Sequence, residues 1–151
     1  MPLILEQMAD SKGVKLEVLM DAKSSHTFQM HSKRPELYKN IRSTKWDYVV
    51  LQGFSRELAQ DRATIDKQSI PYIKQLLDSI YANNSCTNVL LYQTWGYDGG
   101  FKDDSLGIDW SYQTMTDRIH EGYLYVSEQL NLSIVPVGKV WETVKTNHPQ
   151  I

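Results

Sequence analysis

Two short apolar segments constrain the fold of this chain more than any other feature. They are Tyr48–Leu51, within DYVVLQ, and residues 89–92, within NVLLYQ. A strand with one face in water alternates apolar and polar residues, whereas a strand covered on both faces is apolar throughout. Both segments therefore predict strands of a parallel sheet that is covered by helices.

The rest of the chain alternates strands with helices. Apolar runs predict two further strands, at residues 14–20 and 134–137. Apolar residues at helical spacing predict helices at residues 2–12, 35–41, 69–81, 111–130 and 139–145. This alternation predicts a three-layer α/β fold with a mostly parallel, flavodoxin-like sheet and right-handed crossovers. A length of 151 residues fits one domain.

Composition excludes several classes of protein. Sixteen Lys and Arg against eighteen Asp and Glu leave a net charge of -2, so no nucleic-acid partner is expected. No apolar run approaches the roughly 20 residues of a membrane span, and no signal peptide opens the chain, so the default expectation is a cytoplasmic protein. Cys86 has no second cysteine to pair with, and His26 and His31 have no carboxylate at ligand spacing. Neither a metal nor a cofactor is expected.

Two long connections follow predicted strands directly, at residues 52–64 and 94–110. Ligands of open α/β sheets bind beyond the carboxyl ends of the strands. Long loops at that edge carry function more often than loops elsewhere. The sequence therefore predicts a cleft between these two connections.

Four segments in order read WDYVVLQGFSRE, LLYQTWGYDGG, SYQTMTDRIHEGY and IVPVGKVWE. Together they resemble the SGNH (GDSL-type) hydrolase superfamily, in the branch whose third block reads Leu-Gln-x-x-Ser. The resemblance runs over nearly the whole chain. It implies hydrolysis of acyl or acetyl esters on carbohydrates or lipids by a serine nucleophile, with an oxyanion hole that holds the developing charge. The implied ligand is a small-molecule ester or a carbohydrate.

The resemblance also implies positions for the cleft residues. In KSSHTFQMH, Ser25 stands where the family has the oxyanion-hole glycine, and His31 is in step with a family histidine. In the third block, Gly53 stands at the glycine position and Ser55 where other branches have asparagine. His31 is equally well explained as a packed or capping side chain, and Gly53 as a simple turn.

Two further cleft candidates rest on chemistry and position. The Gln52 amide can donate to a developing oxyanion, or it can make a structural hydrogen bond to a neighbouring loop. Trp95 and Gly96 follow the third strand, where Trp95 can line an acyl or sugar pocket or close the end of the sheet.

The catalytic triad of the family has no counterpart among these residues. The opening MPLILEQMADSKG resembles the helix that follows the nucleophile strand, so that strand would precede Met1. His148 precedes a proline as the family's histidine does, but Lys145 stands where the family has aspartate, which makes His148 a weak catalytic candidate. We therefore expect one incomplete SGNH-like domain, over residues 1–151, that is inactive as this chain. The alternative is a non-catalytic α/β binding or assembly module.

The missing strand has a consequence for assembly. In the family it lies between the strands that we place at residues 14–20 and at Tyr48–Leu51. An unpaired strand edge exposes backbone donors and acceptors. We therefore expect either a homodimer or a sheet that closes up.

Overall fold

The computed structural model describes residues 2–148. A parallel sheet is built from β1 (Tyr48–Leu51), β2 (Asn88–Tyr92) and β5 (Ser133–Val135), and a hairpin from β3 (Phe101–Asp103) and β4 (Ile108–Trp110). The helices are α1 (Pro2–Asp10), α2 (Phe28–His31), α3 (Pro35–Ile41), α4 (Arg62–Gln68), α5 (Ile70–Asn83), α6 (Tyr112–Leu130) and α7 (Val137–Asn147), with one 3-10 turn at Glu57–Ala59.

The sheet has the strand order β1-β2-β5, and both pairings are parallel. Val49 lies opposite Val89, and Leu91 lies opposite Ile134. Since both crossovers step in the same direction along the sheet, right-handed connections place α5 and α6 on the same face. The predicted α/β class with a parallel sheet is confirmed.

The core lies between that face of the sheet and the two long helices. Val89 and Leu91 of β2 are buried, as are Ile73 and Ile80 of α5 and Ile119 of α6. Helix α6 begins where Ser111 accepts a hydrogen bond from the Thr114 amide and ends at Asn131, which has a left-handed backbone. The periodic apolar stripes of the sequence thus pack where the period predicts.

The other face of the sheet is less covered than the apolar segments predicted. Tyr48 and Val50 of β1 are 61% and 53% exposed. The expectation that β1 is buried on both faces was therefore wrong, because no helix packs over these two side chains in the described part of the chain.

Residues 14–20 form no strand, contrary to the sequence prediction. A strand exists only where a neighbour supplies hydrogen-bond partners, and β1 does not approach this segment closely enough to pair. The segment is instead held at Val18 and at Asp21, the residue that follows it. Asp21 forms an ion pair of 2.5 Å with Arg34 and accepts a hydrogen bond from Asn40, and the Val18 amide donates to Glu6.

Between this segment and β1 lies a cavity of about 300 Å³, which we call the edge groove. Its lining is mostly apolar, and it runs from residues 16–19 and Asp21 on one side to the free edge of β1 on the other. The expected closing-up of the sheet has therefore not occurred, since the two segments remain apart.

The two long connections contain more structure than predicted. Residues 52–64 include the 3-10 turn and the start of α4, and residues 94–110 include the hairpin of β3 and β4. The last strand ends at Val135, and Val137 already begins α7. Among residues 2–148, no helix is both long and apolar enough to cross a membrane.

Candidate active site at the carboxyl edge of the sheet

The loop that follows β1 is tightly packed at Gly53. A Cβ atom at this position would lie 2.4 Å from Oε2 of Glu57 and 2.7 Å from the ring of Phe28. Real Cβ contacts are never this short, so the loop requires glycine here. The close approach brings the loop after β1 against the start of α2.

Glu57 connects three elements beneath this loop. Its carboxylate accepts hydrogen bonds from the amides of Phe28 (3.0 Å) and Phe54 (3.3 Å) and from the hydroxyl of Ser69 (3.1 Å). The side chain is buried, and burial raises the pKa of Glu57 to about 7, although the three donors oppose the shift. This group therefore changes charge near neutral pH.

The loop that follows β2 contacts the loop that follows β1. Thr94 donates its hydroxyl to the carbonyl oxygen of Ser55 over 2.7 Å. The guanidinium of Arg56 lies 3.7 Å from the ring centroid of Phe101 and 5.1 Å from that of Phe54. These contacts bring Ser55 and the start of the second long loop together at one edge of the sheet.

Trp95 and Gly96 continue from Thr94. Trp95 is 42% exposed, and its ring lies 6.3 Å from that of Trp141 on α7. A Cβ at Gly96 would lie 2.6 Å from Oγ1 of Thr116 on α6. Gly96 thus has a packing role against α6, whereas Trp95 presents an aromatic face to solvent.

The loop that carries Ser25 is strained. Ser25 has φ +58°, in the left-handed region that favours glycine. This backbone requirement is a physical reason for glycine to be usual at that position of the resembled family. The loop ends at Thr27, whose hydroxyl accepts a hydrogen bond from the Met30 amide and caps α2.

His31 lies at the end of α2 and lines the edge groove. Burial lowers the pKa of His31, and the charges of Arg34 and His26 lower it further, while Asp21 opposes them. The imidazole is therefore neutral at pH 7. Gln52, at the end of β1, lines the same groove.

His148 is not part of this arrangement. It is exposed at the end of α7, and Lys145, three residues before it, forms an ion pair with Asp98 and lies over the Tyr112 ring. Lys145 is thus committed to other partners and cannot orient an imidazole. Pro149, the other half of the His-Pro pair, lies outside the described residues.

Sequence reasoning missed Glu57 altogether. In SREL the residue looks like an ordinary charged loop side chain, with no periodicity to mark it as buried. The Glu57 carboxylate is held by the amides of Phe28 and Phe54 and by the hydroxyl of Ser69. These three residues are far apart in sequence and converge only in the folded chain.

Comparisons with known proteins concern the fold. No family model matches the chain, and no curated protein matches it. Among solved structures, it is similar to one described as "a putative SGNH hydrolase" from Slackia heliotrinireducens, with a TM-score of 0.68 and 19% identity over 94% of this chain and 73% of that one. It is also similar to a DUF4886 family protein from Bacteroides uniformis, with a TM-score of 0.73 and 14% identity over 94% of this chain and 63% of that one.

The fold is therefore an SGNH-hydrolase-like α/β fold, as the sequence resemblance implies. At these identities the likeness establishes architecture and leaves activity open. The chain spans less than two thirds of the length of the Bacteroides protein.

Proposed function

We propose that this chain is the scaffold of an SGNH-type ester hydrolase that removes acyl or acetyl groups from carbohydrates or lipids. In this proposal, a strand that carries the nucleophilic serine occupies the edge groove. The observation that carries it is the position of the groove, which runs along the free edge of β1 and is lined by Gln52 and His31.

The direction of β1 supports the proposal. A strand placed parallel to β1 in the groove would end beside Gln52, because parallel strands share a carboxyl edge. In the resembled family, the nucleophile follows the strand directly. The serine would then lie where amide donors from the Ser25 and Gln52–Ser55 loops can reach a tetrahedral oxyanion.

Four of the cleft residues then have a proposed role. The Gln52 side-chain amide and the Ser25 backbone amide donate to the oxyanion. Gly53 lets the loop approach Phe28 without a clash, and Trp95 supplies an aromatic face for the acyl group or the sugar. The base and its aspartate would come from the family's C-terminal Asp-x-x-His block. The one Asp-x-x-His of residues 1–151, from Asp117 to His120, lies within α6 and not at the C-terminal end.

The decisive experiment begins with the coding sequence on both sides of these residues. We expect a Gly-Asp-Ser or Gly-Asn-Ser strand before Met1 and an Asp-x-x-His block after Ile151. The protein that includes both should react with a fluorophosphonate at that serine and hydrolyse p-nitrophenyl acetate.

Two variants of that longer protein test the site. Gln52→Ala removes a proposed oxyanion donor and should lower kcat by about 10²- to 10³-fold. Gln68→Ala, at an exposed position at the end of α4, should leave kcat unchanged. Flanking sequence without either motif would contradict the proposal and favour a non-catalytic module. Full activity in the Gln52→Ala variant would contradict the role of Gln52 as an oxyanion donor.

A further inference from the structure

We propose that Glu57 is a positioning residue that holds the Ser25–Phe28 loop and the Gln52–Arg56 loop in register through one carboxylate. The inference rests on the proposed function, because these two loops carry the proposed oxyanion donors. Oε1 accepts from Phe28 and Ser69, and Oε2 accepts from Phe28 and Phe54. A single side chain therefore connects both loops to Ser69, the N-cap residue of α5.

The hydrogen bonds at Glu57 favour the charged form of its carboxyl, whereas burial favours the neutral form. All four contacts are made by donors, namely two from the Phe28 amide and one each from Phe54 and Ser69. A protonated carboxyl can keep its contact with Ser69 by donating to that hydroxyl, but the amides of Phe28 and Phe54 then donate to a neutral acceptor, and such hydrogen bonds are weaker than those to a carboxylate. Protonation of Glu57 therefore loosens the connection between the loops.

The environment lets this proton move near neutral pH. Burial disfavours the charged form while the donors favour it, and the pKa of Glu57 lies at about 7. From α6, the titratable group that faces it is Tyr123, a buried phenol whose pKa is raised mainly by burial. From α2 and α5 it is faced by the Phe28 amide and the Ser69 hydroxyl.

Other charged groups nearby have partners of their own. Arg56 lies over the Phe54 and Phe101 rings, and Arg118 of α6 donates to the carbonyl of Ala59. Within residues 2–148, no ion pair to Glu57 is present. The carboxylate is thus held by neutral donors, and its charge is free to respond to pH.

The experiment is an NMR titration of the 151-residue chain, without substrate, between pH 5 and 9. The amide resonances of Phe28 and Phe54 should shift together with one midpoint near 7. Glu57→Gln should abolish the shared shift, whereas Glu36→Gln, at an exposed position on α3, should preserve it. His31→Asn should also preserve it, which excludes the imidazole as the source.

A second variant keeps the test informative if Glu57→Gln fails to fold. Ser69→Ala removes one donor to Oε1 and should move the common midpoint to higher pH. Amides that do not titrate between pH 5 and 9, or a midpoint that Ser69→Ala leaves in place, would overturn the proposal.

The longer hydrolase separates this inference from the proposed function. There, Glu57→Gln should lower kcat at least tenfold with KM nearly unchanged, and the pH profile of kcat should keep only the limb of the proposed histidine base. A shared amide titration in a protein without hydrolase activity would refute the proposed function and leave the connection between the loops standing. Normal kcat in Glu57→Gln would refute the positioning role.

Discussion

The hydroxyl of Thr94 donates a 2.7 Å hydrogen bond to the carbonyl oxygen of Ser55. This bond joins the loop after β2 to the loop after β1, although 39 residues separate the two partners. It places Ser55 and the start of the Trp95 loop at one edge of the sheet. Glu57 makes the corresponding connection between the β1 loop and α2, so three separate segments meet at the candidate site.

The 151-residue chain should show no meaningful esterase activity by itself. The sequence contains neither the Gly-Asp-Ser nor the Gly-Asn-Ser motif of the resembled family, and an oxyanion hole alone supplies only a small part of the catalysis. The assay is hydrolysis of p-nitrophenyl and acetyl esters, with Ser55→Ala and His148→Ala as comparisons. Saturable turnover that either substitution abolishes would contradict this prediction.

Gly53→Ala should destabilise the chain by about 1–3 kcal/mol, because the added Cβ would overlap Glu57 and Phe28. Urea denaturation measures the change in the free energy of unfolding. Gly99→Ala is the matched control, since a Cβ at Gly99 meets nothing within 4 Å. Equal stability of the two variants would show that the loop can move aside.

Ser25→Gly should raise the free energy of unfolding by up to about 1 kcal/mol. The left-handed backbone at φ +58° strains a residue with a Cβ, and glycine relieves this at some cost in unfolded-state entropy. Ser24→Gly, the neighbouring exposed position, lacks a positive φ and should be neutral or destabilising. Thermal unfolding of both variants at one pH measures the difference. A Ser25→Gly variant that is no more stable than Ser24→Gly would show that the loop is unstrained in solution.

Stability should fall as the pH rises from about 4.5 to 7, and Glu57 should be the cause. Burial raises the pKa of Glu57 from 4.5 when unfolded to about 7 when folded, so the native state binds a proton more tightly. The contribution of Glu57 to the free energy of unfolding is fully present below pH 4.5 and is lost as the pH rises through 7. The total is roughly 3 kcal/mol.

Urea midpoints between pH 4 and 8 would measure this dependence. Glu57→Gln has no titrating carboxyl here and should flatten the curve, whereas Glu36→Gln should retain it. A wild-type chain whose stability is constant over that range would show that the carboxylate has the same pKa in both states.

We propose that isolated chains associate through the edge groove, giving the homodimer expected from the sequence. Val50, on the free edge of β1, is 53% exposed, and an apolar edge strand invites pairing with a second copy. Val50→Lys should keep the chain monomeric in light scattering at concentrations where the wild type gains mass. Val140→Lys, at a comparably exposed position on α7, should associate like the wild type.

Hydrogen exchange provides an independent reading of the same surface. Amides of residues 14–20 should gain protection as the chain concentration rises. A wild-type chain that stays monomeric while these amides exchange freely would refute association through this groove.

The sequence by itself determined the elements whose signal is local. An uninterrupted apolar run marked β1 at Tyr48–Leu51, and a proline followed by helical spacing marked α3 at Pro35–Ile41, both with the bounds that the structure has. The stripes of α5 and α6 were predicted to within two residues at each end. Periodicity suffices in these cases because the spacing of the apolar residues follows the period of the element and so identifies its buried face.

Tertiary structure alone decided the features that need a distant partner. Residues 14–20 are as apolar as a strand, yet they form none, because backbone pairing requires donors and acceptors from a neighbouring strand. The exposure of Val50 likewise depends on which helix covers it. Glu57 is buried where the amides of Phe28 and Phe54 and the hydroxyl of Ser69 converge on it, and such convergence has no period that a single sequence can display.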